Sequence, residues 1–459
     1  MNRRCFGTDG VRGIPGREPL TPATVRALGF HAARVLLRKS GMAVNGRAPC
    51  IAIGRDTRGS GPALAKSLSA GFAAAGVSVL DLGVIPTPGV SFLVPRLGCL
   101  AGAVISASHN PAEYNGIKFF DGRGFKMSAA LEREVERRLR AGRPLPPSPA
   151  RAARDGARHV DLYRDFLRSA FPATLDLEGV RLVVDCAHGA SADFAPGVLR
   201  ALGAEVFAIG VHPDGRNINA LCGALVPGAM AREVRRRRAH AGVAFDGDAD
   251  RALVCDETGA LLDGDSVIGA AAARLLRQGL LRGSKVALTV MSNFGLIRFL
   301  NERGVEVVTT PVGDRHVTEA IERERLSLGG ENSGHVVFRD FGPTGDGILT
   351  ALQTLAAWRE SGKPMSALRR LYVPTPQTLL NLRVRRKPEL DGLQRTQAAI
   401  SRAVKSLAGR GRVFVRYSGT EPVLRVLVEG PGKAENLKLA LAVARAYLTE
   451  TGQTQEAHP

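Results

Sequence analysis

The chain has 459 residues, a length that allows two to four domains, each with its own hydrophobic core. Apolar residues make up 44% of the sequence and no apolar run reaches the ~18 residues of a membrane span, which argues against a membrane protein. The formal charge of +20 is compatible with nucleic acid, with phosphorylated substrates or with compositional bias, so it identifies no partner.

Two further features predict a cytoplasmic protein without disulfides, and a third concerns the distribution of basic charge. Residues 1–6 are polar and basic and lack the apolar core of a signal peptide. Six cysteines are scattered along the chain without CxxC pairs or metal-ligand spacing, which favours reduced thiols over disulfides or structural zinc. The densest basic run, at 235–238, lies in a helix-like segment without aromatic neighbours and is interpreted as a solvated face.

Strand and helix patterns alternate through most of the chain, which indicates mostly parallel, helix-covered sheets. Proline-rich breaks at 143–149 and near 374–376 separate the units. We expect four domains, over 1–158, 159–262, 263–374 and 375–459. The strands are predicted at 50–53, 77–82, 98–105, 180–185, 205–211, 242–246, 253–256, 285–290, 305–309, 379–384, 412–416 and 424–429. The helices are predicted at 61–75, 129–141, 192–202, 265–278, 295–302, 346–359, 390–407 and 434–449.

The first domain carries a serine loop, SASHNP at 106–111, directly after a predicted strand. Hydroxyl, imidazole and amide groups there suit group transfer, although a serine needs activation by a base, a metal or a strong field. The following NGIKFF at 115–120 predicts a turn at Asn115-Gly116 that returns Lys118 toward the hydroxyls. A polar loop that only closes a strand is the alternative, and SASH alone favours it.

Two other loops of the first domain contain arginines between glycines. They are FGTDGVRG at 6–13 and GRDTR at 54–58. A basic rim for phosphate is the functional interpretation of both loops, and an ordinary turn is the structural one.

The second domain contains DGDADR at 246–251, in which three aspartates alternate with small residues just after an apolar strand. The small residues let the backbone curl so that the carboxylates converge on a hard cation, for which Mg²⁺ is the favoured choice. A solvated acidic turn and a calcium loop are the alternatives. Glu257 stands at the twelfth position of a calcium loop, but Arg251 occupies the place of its required glycine.

Two glycine-containing loops follow in the third and fourth domains. GGENSGH at 329–335 presents an acid, a hydroxyl and an imidazole that match sugar hydroxyls. RYSGTEP at 416–422, with Arg425 beyond it, combines arginines, hydroxyls and backbone N–H groups into a phosphate cradle. It lacks the P-loop pattern of nucleotide-binding proteins. A structural loop and a hairpin turn are the respective alternatives.

Together these four motifs, in this order and one per domain, resemble the α-D-phosphohexomutase family over essentially the whole chain. FGTDGVRG, NGIKFF and the length are most similar to members that act on glucosamine phosphates. The resemblance implies an α/β fold with the four-domain phosphohexomutase architecture. Three similar α/β domains with mixed, mostly parallel sheets and a C-terminal α+β domain would then surround a central cleft.

The resemblance also implies residue roles. Ser108 would be the phosphoserine, and its phosphate would hold one Mg²⁺ per subunit together with Asp246, Asp248 and Asp250. The remaining catalytic residues would be Lys118, His109 and Arg12. The substrate-binding residues would be Arg251, Glu331, Ser333, His335, Arg416, Ser418, Gly419, Thr420 and Arg425.

The implied reaction interconverts glucosamine 6-phosphate and glucosamine 1-phosphate, which supplies UDP-N-acetylglucosamine and cell-wall synthesis. Phosphorylated Ser108 would donate to the substrate, with glucosamine 1,6-bisphosphate as intermediate and activator and Lys118 as the candidate for proton transfer. The protein would be an intramolecular phosphotransferase of the isomerase class, a monomer or homodimer. Its partner would be a phosphorylated hexosamine, with neither nucleic acid nor a membrane.

Two departures from the family pattern concern the substrate. Members that act on glucosamine phosphates usually carry Gln where Asn332 stands, a change that could alter recognition at the sugar 2-position. They usually carry Ser, Thr and His where Ala224-Leu225-Val226 stands. The alternatives are a phosphomannomutase or phosphoglucomutase of the same family and a catalytically silent phosphosugar-binding or nucleic-acid-binding protein. The intact motifs argue against silence.

Overall fold

A computed structural model describes residues 5–7, 9–40, 49–142, 144–147, 153–418 and 421–453. The chain divides into two compact units. Unit 1 comprises Met1–Thr289 and Glu306–Leu371, and unit 2 comprises Val290–Val305 and Tyr372–Pro459. None of the described helices is long and apolar enough to cross a membrane. The four predicted domain boundaries stay a prediction.

The first sheet of unit 1 has, within the described ranges, six strands in the order β1-β5-β4-β2-β3-β6. The central strands β4, β2 and β3 run parallel, while β5 and β1 pair antiparallel. All five residues of β4 are buried, as expected for a strand covered on both faces. The strands are β1 (Val11–Gly13), β2 (Cys50–Arg55), β3 (Ser78–Val84), β4 (Ala101–Ile105), β5 (Asn115–Asp121) and β6 (Arg154–Asp155). The helices are α1 (Pro22–Ser40), α2 (Gly61–Ala74), α3 (Thr87–Arg96) and α4 (Ala129–Arg140).

The second sheet has the order β11-β10-β9-β7-β8 among the described residues. Strands β9, β7 and β8 are parallel, and β10 turns back antiparallel to β9. The strands are β7 (Arg181–Asp185), β8 (Glu205–Ile209), β9 (Ala241–Phe245), β10 (Ala252–Cys255) and β11 (Leu261–Leu262). The helices are α5 (Val160–Ser169), α6 (Ala195–Ala201) and α7 (Gly228–Arg237).

The third sheet has the order β13-β12-β14-β15 in the described part of the chain, with β15 antiparallel. Its strands are β12 (Lys285–Thr289), β13 (Glu306–Thr310), β14 (Leu328–Gly330) and β15 (Val336–Phe338). The helices of this stretch are α8 (Gly264–Arg277), α9 (Phe294–Asn301), α10 (Asp314–Glu324), α11 (Gly347–Ser361) and α12 (Met365–Arg369). Helix α9 belongs to unit 2. The mixed, mostly parallel sheets agree with the expected fold class.

Unit 2 contains an antiparallel sheet in the order β16-β18-β17 and the apolar core between this sheet and two helices. Its strands are β16 (Gln377–Arg383), β17 (Arg412–Tyr417) and β18 (Val423–Glu429). The two helices are α13 (Gln394–Leu407) and α14 (Lys433–Thr451). Short 3₁₀ helices in the two units cover Ala157–His159, Arg282–Ser284 and Leu390–Gly392.

The turn predicted at Asn115-Gly116 is wrong, because both residues begin β5. Asn115 is fully buried and donates from Nδ2 to the Ser60 hydroxyl at 2.8 Å. A Cβ on Gly116 would lie 2.6 Å from the carbonyl oxygen of Ser106. The glycine therefore serves the close approach of two chain segments rather than a turn. Helices α1, α3, α5, α10 and α12 were not predicted.

Candidate active site

Three loops of unit 1 carry the chemistry, and each follows the carboxyl end of a strand. The serine loop follows β4, the acidic loop 246–251 follows β9, and the sugar loop 331–335 follows β14. Crevices at the carboxyl ends of strands are the usual location of ligand sites in α/β sheets.

The Ser108 side chain faces the acidic loop. Its residue is 1% exposed, and its backbone has a φ of 51°, in the left-handed region that few residues other than glycine adopt. The Oγ atom donates to Oδ2 of Asp246 at 2.6 Å and lies 3.3 Å from Nδ1 of His109. A carboxylate and an imidazole thus contact the hydroxyl that we expect to carry phosphate.

A buried arginine donates hydrogen bonds to the backbone of the serine loop. The Arg58 side chain has no exposed surface, and its guanidinium donates to the carbonyl oxygens of Ser108 and Asn110 at 2.9 and 2.8 Å. Its Nε donates to Asp56 at 2.9 Å, and Asp56 also accepts from the Ser106 hydroxyl at 2.6 Å. Arg58 is thus a support for the loop and not part of a basic rim, because its donors are used by the protein itself.

A loop of the second sheet braces the same carbonyl groups. Asn219 donates from Nδ2 to the carbonyl oxygens of Ser108 and Asn110 at 2.9 and 3.0 Å. A Cβ on Gly247 would lie 2.8 Å from the Ser108 carbonyl oxygen, so the acidic loop approaches the serine loop more closely than a side chain would allow.

Asp246, Asp248 and Asp250 converge as predicted. One carboxylate oxygen from each lies within 4.8 Å of the other two, and all three residues are at most 4% exposed. Oδ1 of Asp248 and Oδ1 of Asp250 are buried without a hydrogen-bond partner. Burial, and then the two neighbouring carboxylates, raise the pKa of Asp246 well above its ordinary value. Three buried oxygen donors with unsatisfied atoms fit a hard divalent cation.

Lys118 reaches this triad from β5. Its Nζ lies 2.9 Å from Asp9, 3.0 Å from Asp248 and 3.7 Å from Asp250. Although burial opposes the shift, these carboxylates raise the pKa of Lys118 well above its ordinary value. The side chain therefore carries a positive charge at neutral pH.

The other predicted cations lie around the same loops. Arg251 donates from its backbone N–H to Asp246 at 3.2 Å, and Arg12 is paired with Asp9 at 2.6 Å. The Nε atoms of both arginines are buried without a hydrogen-bond partner. Burial, followed by the charges of Arg251 and Arg12, lowers the pKa of His109, which keeps its imidazole neutral.

Asp9, Lys126 and Asp314 are charged residues of the site that the sequence analysis did not single out. Lys126 donates to Asp9 at 2.7 Å and also pairs with Asp314 at the start of α10. Asp9 is held ionised because, although burial opposes the shift, Lys118 and Lys126 lower its pKa well below the ordinary value. Lys126 and Asp314 are 188 residues apart and stand in no recognisable motif, so the local sequence contained no signal for their pairing.

Two residues of the sugar loop contact neighbouring loops, and one is exposed. Glu331 accepts from the backbone N–H of Gly313 at 2.9 Å, and Ser333 is exposed. His335 is buried, with Nδ1 3.8 Å from Asp250, and although burial opposes the shift, Asp250 and Asp314 raise its pKa. Glu331 and His335 are thus tied to neighbouring loops, while Ser333 is open to a ligand.

A cavity of about 260 Å³ adjoins these loops within unit 1. It is lined by His109, Asp246 and Arg251 and by Asn332 and Ser333 of the sugar loop. The structure therefore brings predicted catalytic, metal-binding and sugar-binding residues to one space of the size of a small ligand.

Unit 2 carries the fourth motif. Arg416 on β17 and Arg425 on β18 are directly paired across the sheet, and burial followed by the Arg425 charge lowers the pKa of Arg416. Ser418 is buried next to Glu421, and Lys387, which was not predicted, donates to the Ser418 carbonyl oxygen at 2.6 Å. Like charges opposite each other are unfavourable, and Glu421 pairs with Arg425 at 2.7 Å. Gly419 and Thr420 lie outside the described residues.

One protein family matches the chain over most of its length. The phosphoglucomutase/phosphomannomutase family matches in four parts. Its alpha/beta/alpha domains I, II and III match residues 3–144, 161–259 and 263–374, and its C-terminal domain matches residues 379–446.

Curated relatives agree over nearly the full length. The phosphoglucosamine mutase of Symbiobacterium thermophilum is 46% identical over 451 residues, covering 97% of this chain and 99% of the relative. That of Syntrophotalea carbinolica is 42% identical over 452 residues, covering 97% of each chain.

Solved structures show the same fold at lower identity. A phosphoglucomutase/phosphomannomutase family protein from Burkholderia thailandensis superposes with a TM-score of 0.81 at 24% identity, covering 99% of both chains. Aspergillus fumigatus N-acetylphosphoglucosamine mutase, in complex with GlcNAc-6P and magnesium, has a TM-score of 0.60 at 20% identity, covering 92% of this chain and 99% of the other. From its motifs, its fold and these relatives, the chain belongs to the α-D-phosphohexomutase family, in which it is related to the phosphoglucosamine mutases.

Proposed function

We propose that the chain is a phosphoglucosamine mutase, which interconverts glucosamine 6-phosphate and glucosamine 1-phosphate. The observation that carries the proposal is the buried Ser108 hydroxyl, which is bonded to Asp246 beside a convergent acidic triad and a cavity lined by the sugar loop. The intermediate is glucosamine 1,6-bisphosphate. Relatives that are 42–46% identical over almost the whole chain support this substrate.

Asp246, Asp248 and Asp250 are the residues that would hold Mg²⁺, together with the phosphate on Ser108. Their unsatisfied buried oxygens and hard donor chemistry fit this ion. When bound, Mg²⁺ neutralises negative charge on the phosphoryl oxygens.

The chain's own groups support the transfer of a phosphoryl group between Ser108 and the sugar. In the forward direction the C1 hydroxyl oxygen of glucosamine 6-phosphate bonds to phosphorus and the bond from phosphorus to Ser108 Oγ breaks. The proton lost by the C1 hydroxyl is balanced by the proton that Ser108 Oγ gains as it leaves as the serine hydroxyl. The reverse event at C6 returns a phosphoryl group to Ser108 and leaves glucosamine 1-phosphate. Atoms and charges balance over the cycle, because the enzyme ends as the phosphoserine form with which it began.

Lys118 and His109 are placed to stabilise negative charge and to transfer protons. Lys118 is fully buried and charged, so it stabilises negative charge and acts in proton transfer as a donor. His109 is neutral and lies 3.3 Å from Ser108 Oγ, so it is placed to accept the serine proton when Ser108 is rephosphorylated and Asp246 is engaged by the metal ion.

The unit 2 loop is proposed to bind a phosphate of the substrate. Arginines 416 and 425 face each other, and one carboxylate, Glu421, pairs with Arg425 at 2.7 Å, while the buried Nε of Arg425 has no hydrogen-bond partner. An anion bound between the arginines would offset their remaining repulsion. Gly419 and Thr420 complete this proposed loop in the sequence. The oligomeric state, monomer or homodimer, stays a prediction.

Ser108→Ala and Ser106→Ala form a matched pair that tests the phosphoserine. We expect Ser108→Ala to abolish mutase turnover and the phosphoryl group detected by intact mass and peptide mapping. Ser106→Ala should still be labelled at Ser108, because the Ser106 hydroxyl points to Asp56 and not to the acidic triad. Labelling that survives only in the Ser108 variant would reverse the assignment.

The competing activity is that of a phosphomannomutase or phosphoglucomutase. A coupled assay that compares the amino and neutral hexose phosphates separates the two. Faster turnover of glucose 1-phosphate than of glucosamine 1-phosphate would contradict the proposed substrate.

A further inference from the structure

One wall of the cavity contains a carboxylate that no motif anticipated. Asp263 is exposed, lies at the N-terminal cap of α8 and lines the cavity together with Asn332 and Ser333 of the sugar loop. Asp246 is the other carboxylate of the cavity lining, and its oxygens already accept from Ser108 and from the Arg251 backbone.

The position of Asp263 is rigid. Its Oδ1 accepts from the backbone N–H and from the hydroxyl of Ser266, both at 2.8 Å. The next residue, Gly264, donates its N–H to the Asn332 carbonyl oxygen at 3.0 Å, and a Cβ on Gly264 would lie 2.1 Å from the Glu331 carbonyl oxygen. The cap of α8 is therefore held directly against the sugar loop.

The second carboxylate oxygen of Asp263 is available to a ligand. Both bonds that Asp263 makes within the described part of the chain use Oδ1, which leaves Oδ2 without a partner there. Arg251 lines the same cavity, and its Nε, which lies 3.7 Å from Asp250, is buried without a hydrogen-bond partner. The cavity thus presents one cationic donor and one free carboxylate oxygen, which match a ligand that carries both a phosphate and an ammonium group.

The apolar part of the lining strengthens such a match. Leu225, Leu253 and Leu261 line the same cavity, and Leu225 belongs to the segment that departs from the family pattern. Leu225 and Leu261 are 55% and 43% exposed, so their apolar surface is available to pack against the sugar ring of a bound ligand.

We propose that Asp263 forms an ammonium subsite, in which its carboxylate binds the protonated 2-amino group of the hexosamine phosphate. The subsite separates amino from neutral hexose phosphates, because a neutral hydroxyl at the same position forms no charge-assisted bond with the carboxylate. This inference rests on the proposed mutase function.

Asp263→Asn tests the subsite without removing the helix cap, because asparagine caps helices as well as aspartate does. The assay measures kcat/KM at pH 7 for glucosamine 1-phosphate and glucose 1-phosphate. We expect at least a tenfold decrease with the amino sugar, since the substitution removes the carboxylate charge that strengthens the bond to the ammonium group. The value with glucose 1-phosphate should change less than threefold.

Two further variants serve as controls. Asp263→Ser also retains a capping oxygen but has no charge, so it should reproduce the loss of selectivity. Asp193→Asn removes an exposed carboxylate that does not line the cavity, and the selectivity should stay as in the parent protein.

Two results would overturn the ammonium subsite. If Asp263→Asn leaves both kcat/KM values unchanged, the Asp263 charge does not contribute to substrate recognition. If both values fall equally, so that their ratio is unchanged, Asp263 acts only as a helix cap. A parent protein that isomerises neither sugar phosphate would instead overturn the proposed function, so the two failures are distinguishable.

Discussion

Two serines that stand two positions apart perform different tasks. The Ser106 hydroxyl is fully buried, donates to Asp56 and accepts the Ser108 N–H at 2.8 Å. Ser108 is turned by its positive φ toward Asp246. The backbone conformation therefore directs the two hydroxyls to different partners, one structural and one at the acidic triad.

Arg58→Met is expected to destabilise the fold strongly. The substitution leaves Asp56 as a buried carboxylate without its counter-charge, and breaking a buried pair in this way costs about 3–5 kcal/mol. It also removes two donors to the serine-loop carbonyls, so phosphorylation of Ser108 should fall. Urea unfolding and intact mass measure the two effects.

Arg55→Met is the control for that variant. Arg55 lies on the same strand–loop segment and pairs with Asp81, but both side chains are partly exposed. Its loss should change the free energy of unfolding by about 0–1 kcal/mol. Equal effects of the two substitutions would contradict the supporting role of Arg58.

At the scale of the elements, α1 and α2 pack closely at two glycines. A Cβ on Gly29 of α1 would lie 2.5 Å from the Leu68 carbonyl oxygen, and one on Gly71 of α2 would lie 2.1 Å from the Arg26 carbonyl oxygen. Both contacts are with backbone atoms, which cannot move aside without shifting a helix. The two helices therefore cross where neither has a side chain.

Gly71→Ala should destabilise the protein by about 1–3 kcal/mol, because the added methyl group forces the two helices apart. Gly197→Ala, inside α6 with nothing within 4 Å of its Cβ position, should instead stabilise the protein by about 0.5–1 kcal/mol. Chemical denaturation of both variants tests the contrast, and stabilisation by Gly71→Ala would refute the close crossing.

At the scale of the molecule, long-range polar contacts tie the sheets of unit 1 together. Thr87 at the start of α3 donates to Asp248 at 2.7 Å. Tyr163 of α5 donates to Asp346, the N-cap of α11, at 2.7 Å across 183 residues. Such bonds fix how the segments around the acidic triad are joined.

Asp346 makes this junction sensitive to pH. Burial raises its pKa from 3.8 to about 6. Because the folded pKa is above the unfolded one, the contribution to stability is fully present below pH 3.8 and is lost as pH rises through about 6. The whole effect is about 3 kcal/mol, of which about 1–2 kcal/mol falls between pH 5 and 8.

Asp346→Asn keeps a capping side chain and removes the ionisation. Its free energy of unfolding should therefore rise relative to that of the parent protein, by about 1–2 kcal/mol, when pH increases from 5 to 8. Asp256→Asn is the control, because the pKa of Asp256 is lowered from 3.8 and its contribution changes only below that pH. Parallel pH profiles of parent and Asp346→Asn in urea titrations would contradict the assignment.

Much of this organisation could be predicted from the sequence because it is local. Hydrophobic periodicity placed β2, α2, β7 and α8 to within a few residues, since burial of one face leaves its period in the sequence. The alternating aspartates indicated a convergent triad for a local reason as well. Their spacing and the small residues between them decide how the loop curls.

Other features depend on contacts that no local pattern records. Helices α1 and α3 were missed. Asn115-Gly116 was interpreted as a turn, because the pairing of Val11 with Ile117 and of Val104 with Lys118 decides where β5 begins. The pairs of Lys126 with Asp9 and Asp314 likewise exist only after the sheets are assembled.

The sequence by itself determined the family, the α/β class and the residues of the four motifs. The motifs are short runs in a fixed order, and the chemistry of each run follows from its own residues. The tertiary structure alone decided that Arg58 is buried support, that Lys118 is held as a cation by Asp9 and Asp248, and that Asp263 borders the sugar loop. Each of these depends on groups brought together by strand order and close backbone approach, and electrostatic energies are set by distance and burial rather than by position along the chain.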